Sequence, residues 1–144
     1  MAARSVQETG TVRAMPADAT TIRATVDAYR AAFGARDVDA YLGLFADGAW
    51  IEDPVGTPRH EGADALRAFF EQTTSMADAM ELRLTGPVRA VAGECAFPMQ
   101  ARPVTGGATL VVDIIDVMTF EDTGKITTMR AFWDPAEMRP ADDA

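Results

Sequence analysis

One predicted strand places an ionisable side chain on an apolar face. Side chains alternate between two faces along a strand, and Asp116 in the run LVVDIIDVMTF (residues 110–120) falls on the more apolar one. The other members of that face are Leu110, Val112, Ile114, Met118 and Phe120. An ionised carboxylate there would lose its hydration, so we expect Asp116 either to hold a proton or to meet a partner. A protonated Asp116 could donate a hydrogen bond in a dry site. The alternatives are a bulge that turns it outward or a buried ion pair with an arginine.

Two other residues could act together with this acid. Asp53 ends a short apolar strand and precedes Pro54, which favours an extended conformation at Asp53. It could serve as a general base, although Asp-Pro-Val-Gly is also an ordinary turn sequence with a solvated aspartate. Tyr29 lies on an apolar helical stripe, where a buried hydroxyl needs a partner and commonly finds one in the backbone. Tyr29 and Asp116 could instead donate to one oxygen while Asp53 removes a proton from the adjacent carbon.

Periodicity and turn signals predict the elements that must position these residues. A first helix is expected from the capping residues Asp18 and Thr21 to about Phe33, a second short helix after Asp37, and a third over residues 63–74. Strands are expected at residues 49–53, 81–91, 94–102, 108–120 and 125–134. Helices followed by antiparallel strands predict an α+β fold. We expect three N-terminal helices packed on a curved, mostly antiparallel sheet, forming a cone with an apolar pocket.

The chain is predicted to form one domain. Residues 1–17 are polar or small and aperiodic, which is typical of a flexible N-terminal arm, and residues 135–144 have the character of a flexible tail. The domain itself is expected to span residues 18–134, since neither an internal repeat nor a linker interrupts that range.

Composition excludes several classes of function. The formal net charge of −9 over 144 residues argues against a nucleic-acid partner. No apolar run approaches the roughly 18 residues of a membrane span, and the N-terminus lacks the apolar centre of a signal peptide, so we expect a cytoplasmic protein. Cys95 and His60 are the only residues of their types, too few for a Cys/His metal site. Cys95 is expected to be a small buried apolar residue, and His60 to lie in a solvated loop.

Several segments resemble the bacterial ketosteroid isomerases, or steroid delta-isomerases, of the nuclear-transport-factor-2-like and SnoaL-like superfamily. The run WIEDPVGTPRHEGADALRAFF (50–70) is similar to the segment that carries their catalytic base. The runs LTGPVRAVAGECAFPM (84–99) and LVVDIIDVMTFEDTGKITTMRAFW (110–133) resemble their sheet, including the strand with the buried acid. The run VDAYRAAFGARDVDAYLGLFAD (26–47) resembles their first two helices. The resemblance covers roughly residues 20–134.

The resemblance implies a role for each of the three candidate residues. Asp53 corresponds to the base that moves a proton between two carbons of a 3-oxo steroid, and Tyr29 and Asp116 to the two donors that bind the enolate oxygen. The family is a known case of a carboxylic acid kept neutral by an apolar site. The residues expected to line the steroid site are Phe33, Met99, Val112, Ile114, Met129 and Trp133. The resemblance also implies that neither metal nor organic cofactor is needed, and that the protein forms a homodimer through its sheet.

The chain departs from the family at two positions. Phe70 and Phe45 stand where some members have tyrosines, so the hydroxyl network behind Tyr29 is expected to be shorter. Two alternative functions remain open at this point. One is a polyketide cyclase-like enzyme on the same fold, in which Asp53 would still be a base but the ligand would be more polar. The other is a binding protein for hydrophobic ligands without turnover.

Overall fold

The computed structural model of the protein describes residues 15–141, so most of the predicted arm and the last residues of the predicted tail lie outside the described residues. Helix α1 spans Ala19–Ala35, α2 spans Val38–Leu42 and α3 spans Ala63–Ser75. Two of the predicted caps form: a carboxylate oxygen of Asp18 accepts from the Thr21 amide at 2.8 Å, and Asp37 accepts from the Ala40 amide at 3.0 Å. Thr21, the other predicted cap, lies inside α1. Helix α1 continues past Gly34 and ends at Arg36, whose φ of 55° is left-handed.

Eight strands are present within the described residues. They are β1 (Phe45–Glu52), β2 (His60–Glu61), β3 (Ala79–Leu84), β4 (Arg89–Val91), β5 (Glu94–Thr105), β6 (Ala108–Phe120), β7 (Ile126–Phe132) and β8 (Arg139–Pro140). The main sheet has the order β2-β1-β7-β6-β5-β3, with β4 paired to β5 and β8 to β6. Strand β1 pairs with β7 in parallel, and the other pairs in the described chain are antiparallel. The predicted α+β class is therefore confirmed.

The three helices bury their apolar stripes against the sheet. The predicted stripe of α1 is buried throughout, and α3 buries Leu66 and Phe70. Burying an aliphatic or aromatic side chain contributes about 1.5–3 kcal/mol, so these stripes hold the helical layer in place. Cys95 is buried in the same core, as predicted. Within residues 15–141, no helix combines the length and the hydropathy that crossing a bilayer requires.

The structure divides the single strand that the sequence predicts at residues 81–91. Strands β3 and β4 are separated by Thr85–Val88, where Pro87 cannot donate to a ladder. A Cβ at Gly86 would lie 2.8 Å from the ring of Pro98, so a residue without a side chain is needed for this close approach.

Parts of the two terminal segments, predicted to be flexible, lie within the described residues. Pro135–Glu137 form a 3-10 turn, and β8 pairs with residues 110 and 111 of β6. This pairing is possible because β7 ends opposite Ile115 and leaves the preceding edge of β6 open. At the other end, Ala17 is buried although it belongs to the predicted arm. The sequence of a short polar segment does not indicate which edge of a sheet the segment will pair with.

Candidate active site

A cavity of about 580 Å³ lies between the helices and the sheet. Its floor follows the alternation of β6, because Leu110, Val112, Ile114 and Asp116 all line it. The cavity brings together all three candidate catalytic residues, Tyr29, Asp53 and Asp116, which come from α1, the end of β1 and β6. Five of the six predicted lining residues also contribute to its wall, and these are Phe33, Met99, Val112, Ile114 and Trp133.

Met129 is the predicted lining residue that does not line this cavity. It is fully buried on β7, where it pairs with Ile51 of β1 and Met118 of β6. Both neighbours are also fully buried, so Met129 packs in the core of the sheet. The residue of the β7 segment that reaches the cavity is Trp133, which lies just beyond the end of the strand.

Asp116 is a buried carboxyl group without a charged partner. It is 1% exposed, and neither carboxyl oxygen has a hydrogen-bond partner among residues 15–141. Burial raises the pKa of Asp116 well above its ordinary value, and the nearby Asp53 raises it further. Of the possibilities that the sequence leaves open, the structure therefore supports the protonated acid and shows neither an outward bulge nor an arginine pair at this residue. A neutral Asp116 presents a hydroxyl donor to the cavity.

Asp53 is partly buried at the end of β1, next to the cis peptide bond to Pro54. Its Oδ1 accepts a hydrogen bond of 2.6 Å from Nε1 of Trp133. Burial raises the pKa of Asp53 to about 6, while the indole hydrogen bond acts in the opposite direction. The carboxyl group is consequently ionised at neutral pH but more basic than a solvated aspartate, as a general base requires.

The phenol of Tyr29 belongs to a buried aromatic cluster that borders the cavity. Its ring lies 5.2 Å from Phe33 and 6.0 Å from Tyr41, measured between centroids. Burial raises the pKa of Tyr29 well above its ordinary value, with smaller contributions from Asp116, Tyr41 and Asp53. The hydroxyl therefore keeps its proton and can act as a donor.

Tyr41 is a residue of this cluster that the sequence did not single out. Its ring packs 4.5 Å from Phe70, and its hydroxyl is buried without a partner in the described part of the chain. Burial raises the pKa of Tyr41, and the proximity of Asp53 and Asp116 adds to the rise. In the sequence, a tyrosine on the apolar face of a short helix indicates only that the residue packs in the core. The tertiary structure was needed to show that Tyr41 lies close to Asp53 and Asp116.

Several other residues that line the cavity were not predicted from the sequence. Strand β5 contributes alternate residues, and the C-terminal half of α3 and the start of β3 close the opposite wall. These residues are Ala101, Pro103, Thr105, Phe69, Thr73, Met76, Met80 and Leu82. The alternation of Met99 and Ala101 on the predicted strand 94–102 was the available signal, whereas Pro103 and Thr105 lie beyond that prediction on the longer β5. His60, predicted in a solvated loop, is in fact partly buried in β2 with its ring 4.9 Å from Phe69.

The arrangement places two carboxyl groups and one phenol around a single, largely apolar cavity. Two neutral donors can stabilise an oxyanion that develops on a substrate carbonyl, while an ionised carboxylate can take a proton from carbon. Within residues 15–141, no cluster of three or more His, Cys, Asp or Glu side chains could hold a metal ion.

This fold and site define the class of protein. The chain matches the SnoaL-like domain model over residues 26–129 and therefore belongs to the SnoaL-like family. It is 38% identical over 117 residues to the Steroid Delta-isomerase of Nocardioides simplex, an alignment that covers 81% of this chain and 93% of that protein. The predicted family resemblance is confirmed by this likeness, and the name of the relative agrees with the predicted class, an isomerase.

A solved structure with the same fold has a different named role. It is that of SalBIII, an epoxide hydrolase/cyclase-like enzyme described for pyran ring formation in the polyether salinomycin. The two proteins superpose with a TM-score of 0.78 at 27% identity, over 86% of this chain and 98% of that one. The fold is thus shared by members with different chemistry, and the side chains of the site must distinguish them.

Proposed function

We propose that this protein is a steroid delta-isomerase, which moves the double bond of a 3-oxo-Δ5-steroid into conjugation. The observation that carries the proposal is the position of Tyr29, Asp53 and Asp116 around one apolar cavity, with Asp116 fully buried and without a charged partner among residues 15–141. The similarity to a Steroid Delta-isomerase supports the same reaction.

The reaction needs one proton to move between two carbons of the substrate. The Asp53 carboxylate removes a proton from the carbon between the carbonyl and the alkene, and the electrons of that C–H bond pass through the carbonyl to its oxygen. The resulting dienolate accepts hydrogen bonds from Tyr29 and Asp116. Asp53, now a carboxylic acid, returns the proton two carbons further along, and the carbonyl reforms with a conjugated alkene. No external oxidant, reductant or cofactor enters this balance.

The electrostatics of the site support this division of roles. Burial without a charged partner favours the neutral form of Asp116, so this group is a donor rather than a second base. The Trp133 N–H favours the ionised form of Asp53 and also fixes the orientation of its carboxylate. The apolar walls would exclude water from the dienolate, and each hydrogen bond to the oxyanion is stronger in such a medium.

We also propose a homodimer formed through the outer face of the sheet. Ile115 and Phe132 pair across β6 and β7 on the face opposite the cavity, and they are 51% and 42% exposed. Pro98 of β5 lies beside Ile115 in the same sheet. Such a cross-strand apolar group on an exposed face is typical of a subunit contact.

The test is the rise in ultraviolet absorbance when the purified protein converts 5-androstene-3,17-dione to its conjugated isomer. We expect turnover that falls by about 10³ or more in Asp53→Asn, because the amide cannot accept the proton. Turnover that persists in this variant would exclude Asp53 as the base. Absence of turnover with this substrate would count against the proposed reaction, and absence of turnover with every 3-oxo-Δ5-steroid tested would reject it.

A cyclase-like reaction is the second candidate, and the similarity to SalBIII favours it. In that case Asp53 would still remove a proton, but the substrate would be a polar polyketide. The apolar character of Phe33, Met99 and Ile114 in the cavity wall favours the steroid instead. Binding of a product-like steroid without turnover would point to a binding protein, and turnover of a polyketide alone would point to the cyclase.

A further inference from the structure

The stretch of β6 that forms the cavity floor is longer than a steroid ring system. Asp116 and Leu110 both line it and lie six residues apart on β6, which corresponds to about 20 Å at ~3.4 Å per residue. Four fused rings with a ketone at one end extend about 10 Å, given carbon–carbon bonds near 1.5 Å. A steroid whose carbonyl contacts Asp116 would therefore leave roughly half of this floor uncovered.

The uncovered end of the floor carries apolar side chains that are exposed to solvent. Met76 is 69% exposed, Met138 39% and Leu110 37%, and all three line the cavity. Among the described residues, only four other large apolar side chains have comparable exposure, and none of them lines the cavity. Exposed apolar side chains that cluster at the mouth of a cavity indicate a surface that a ligand covers.

Three separate segments contribute to this apolar rim, defined as Met76, Leu110 and Met138. Met76 follows the last residue of α3, and Leu110 lies near the start of β6. Met138 precedes β8, which pairs with β6 so that Pro140 lies opposite Leu110. Methionine side chains are flexible and polarisable, so two of them can pack against an irregular or mobile alkyl group.

Apart from Asp53, Asp116 and His60, the polar residues that line the cavity do not present an unpaired charge to a ligand. Gln72, Thr73 and Thr105 are neutral. Arg59 also reaches the cavity, but its Nε lies 3.3 Å from Glu52 and its guanidinium stacks 3.6 Å from the ring centroid of Trp50. The composition of this end therefore favours an uncharged, largely apolar extension of the substrate.

We infer that the substrate class is a 3-oxo-Δ5-steroid with an alkyl side chain on the ring carbon furthest from the ketone. The ring system occupies the inner half of the cavity, and the alkyl chain extends over Leu110 to contact Met76 and Met138. This inference rests on the proposed isomerase function and adds to it the part of the substrate that the rim recognises.

The experiment compares three substrates that share the reacting rings and differ only in the far substituent. They are 5-androstene-3,17-dione with a ketone, 5-pregnene-3,20-dione with an acetyl group, and 5-cholesten-3-one with a branched alkyl chain, all delivered from cyclodextrin. We expect kcat/KM for the alkyl substrate to exceed that for the ketone by about tenfold or more, because the rim buries additional apolar surface. Equal values, or a preference for the ketone, would overturn the inference while leaving the isomerase function intact. Failure of all three to turn over would instead reject the proposed function.

Rim variants test whether these residues cause the preference. The double variant Met76→Gln with Met138→Gln is expected to lower the alkyl-to-ketone ratio of kcat/KM by about tenfold. Met15→Gln is the matched control, since Met15 is a 79% exposed methionine that does not line the cavity. A ratio that is unchanged in the double variant, or that falls equally in the control, would show that the rim does not select the side chain.

Discussion

The indole N–H of Trp133 donates a hydrogen bond of 2.6 Å to Oδ1 of Asp53, and so joins the end of β7 to the end of β1. The two strands are parallel neighbours, which brings their C-terminal ends to the same edge of the sheet. This contact gives the proposed base a fixed orientation and a defined electrostatic environment. Both properties can be measured.

Activity should depend on the ionisation of Asp53. Burial raises its pKa to about 6, and only the ionised form can accept a proton from carbon. We therefore expect kcat/KM to increase as the pH rises through about 6 and to reach a plateau above it. The measurement is a pH profile of isomerisation with a substrate that does not itself ionise. A profile that is flat across this interval would contradict the assignment of Asp53.

Removing the indole N–H donor should shift the midpoint of the pH profile of kcat/KM to a higher pH. In Trp133→Phe the carboxylate loses a hydrogen bond that favours its ionised form, so the pKa of Asp53 should rise further. Hydrogen bonds to charged groups contribute about 1.5 kcal/mol or more, which corresponds to an upward shift of about one pH unit. Trp50→Phe is the control, because Trp50 does not line the cavity. A midpoint that stays in place in Trp133→Phe would mean that the hydrogen bond does not tune the base.

Two uncharged substitutions of Asp116 should show whether this residue acts by donating a hydrogen bond. Asp116→Asn retains an N–H donor, so we expect a loss of about tenfold in kcat, whereas Asp116→Leu retains none and should lose about 10²–10³. The readout is kcat with the 17-ketone substrate. Equal losses in the two variants would argue against a donor role for this residue.

The stability of the protein should report the protonation state of Asp116 independently of activity. Its pKa is raised in the folded state, so the folded protein binds more protons than the unfolded chain once the pH exceeds the unfolded value near 4. The free energy of unfolding should therefore fall as the pH rises above that value, up to the folded pKa. Asp116→Asn removes this dependence, so its stability relative to the unaltered protein should be higher at alkaline pH than at acidic pH. Denaturant unfolding at acidic and alkaline pH measures the difference, and a gain of the same size at both would contradict the explanation.

Tyr41→Phe should not destabilise the protein. Its hydroxyl has no partner among the described residues, so removing it eliminates the cost of a buried unpaired polar group while the ring contacts remain. We expect an unchanged or higher midpoint of urea unfolding, with a gain of up to about 1 kcal/mol. Leu66→Ala is the comparison for a true core loss and should cost about 2–5 kcal/mol. A marked loss of stability in Tyr41→Phe would show that the hydroxyl is bonded after all.

The proposed dimer can be tested on the exposed pair of the outer sheet face. Ile115→Lys introduces a charge at a position that is 51% exposed in a single chain, so the fold should tolerate it while an apolar interface should not. We expect sedimentation velocity to show a dimer for the unaltered protein and a monomer for the variant at micromolar concentration. Val91→Lys, at a 75% exposed position on β4, is the control. Dimers that persist in Ile115→Lys would place the interface elsewhere.

Much of this protein follows from its sequence because local rules decide it. Period-two alternation predicted Asp116 on the more apolar face of β6, and the structure buries it on that face. Side-chain caps and helical periodicity predicted the start of α1 and its buried stripe. These features depend on residues close together in the chain, so that a short window contains the necessary information.

Other features depend on which distant segments meet, and only the tertiary structure decided them. The sequence could not assign Met129 to the core and Trp133 to the hydrogen bond with Asp53, because that choice depends on the point at which β7 ends beside β1 and β6. It could not show that β8 covers the open edge of β6, or that Met138 lines the same cavity as Leu110, since short polar segments carry no periodic signal. The elevated pKa values of Asp53 and Asp116 arise from desolvation by residues far away in the chain, and desolvation exists only once the core has assembled.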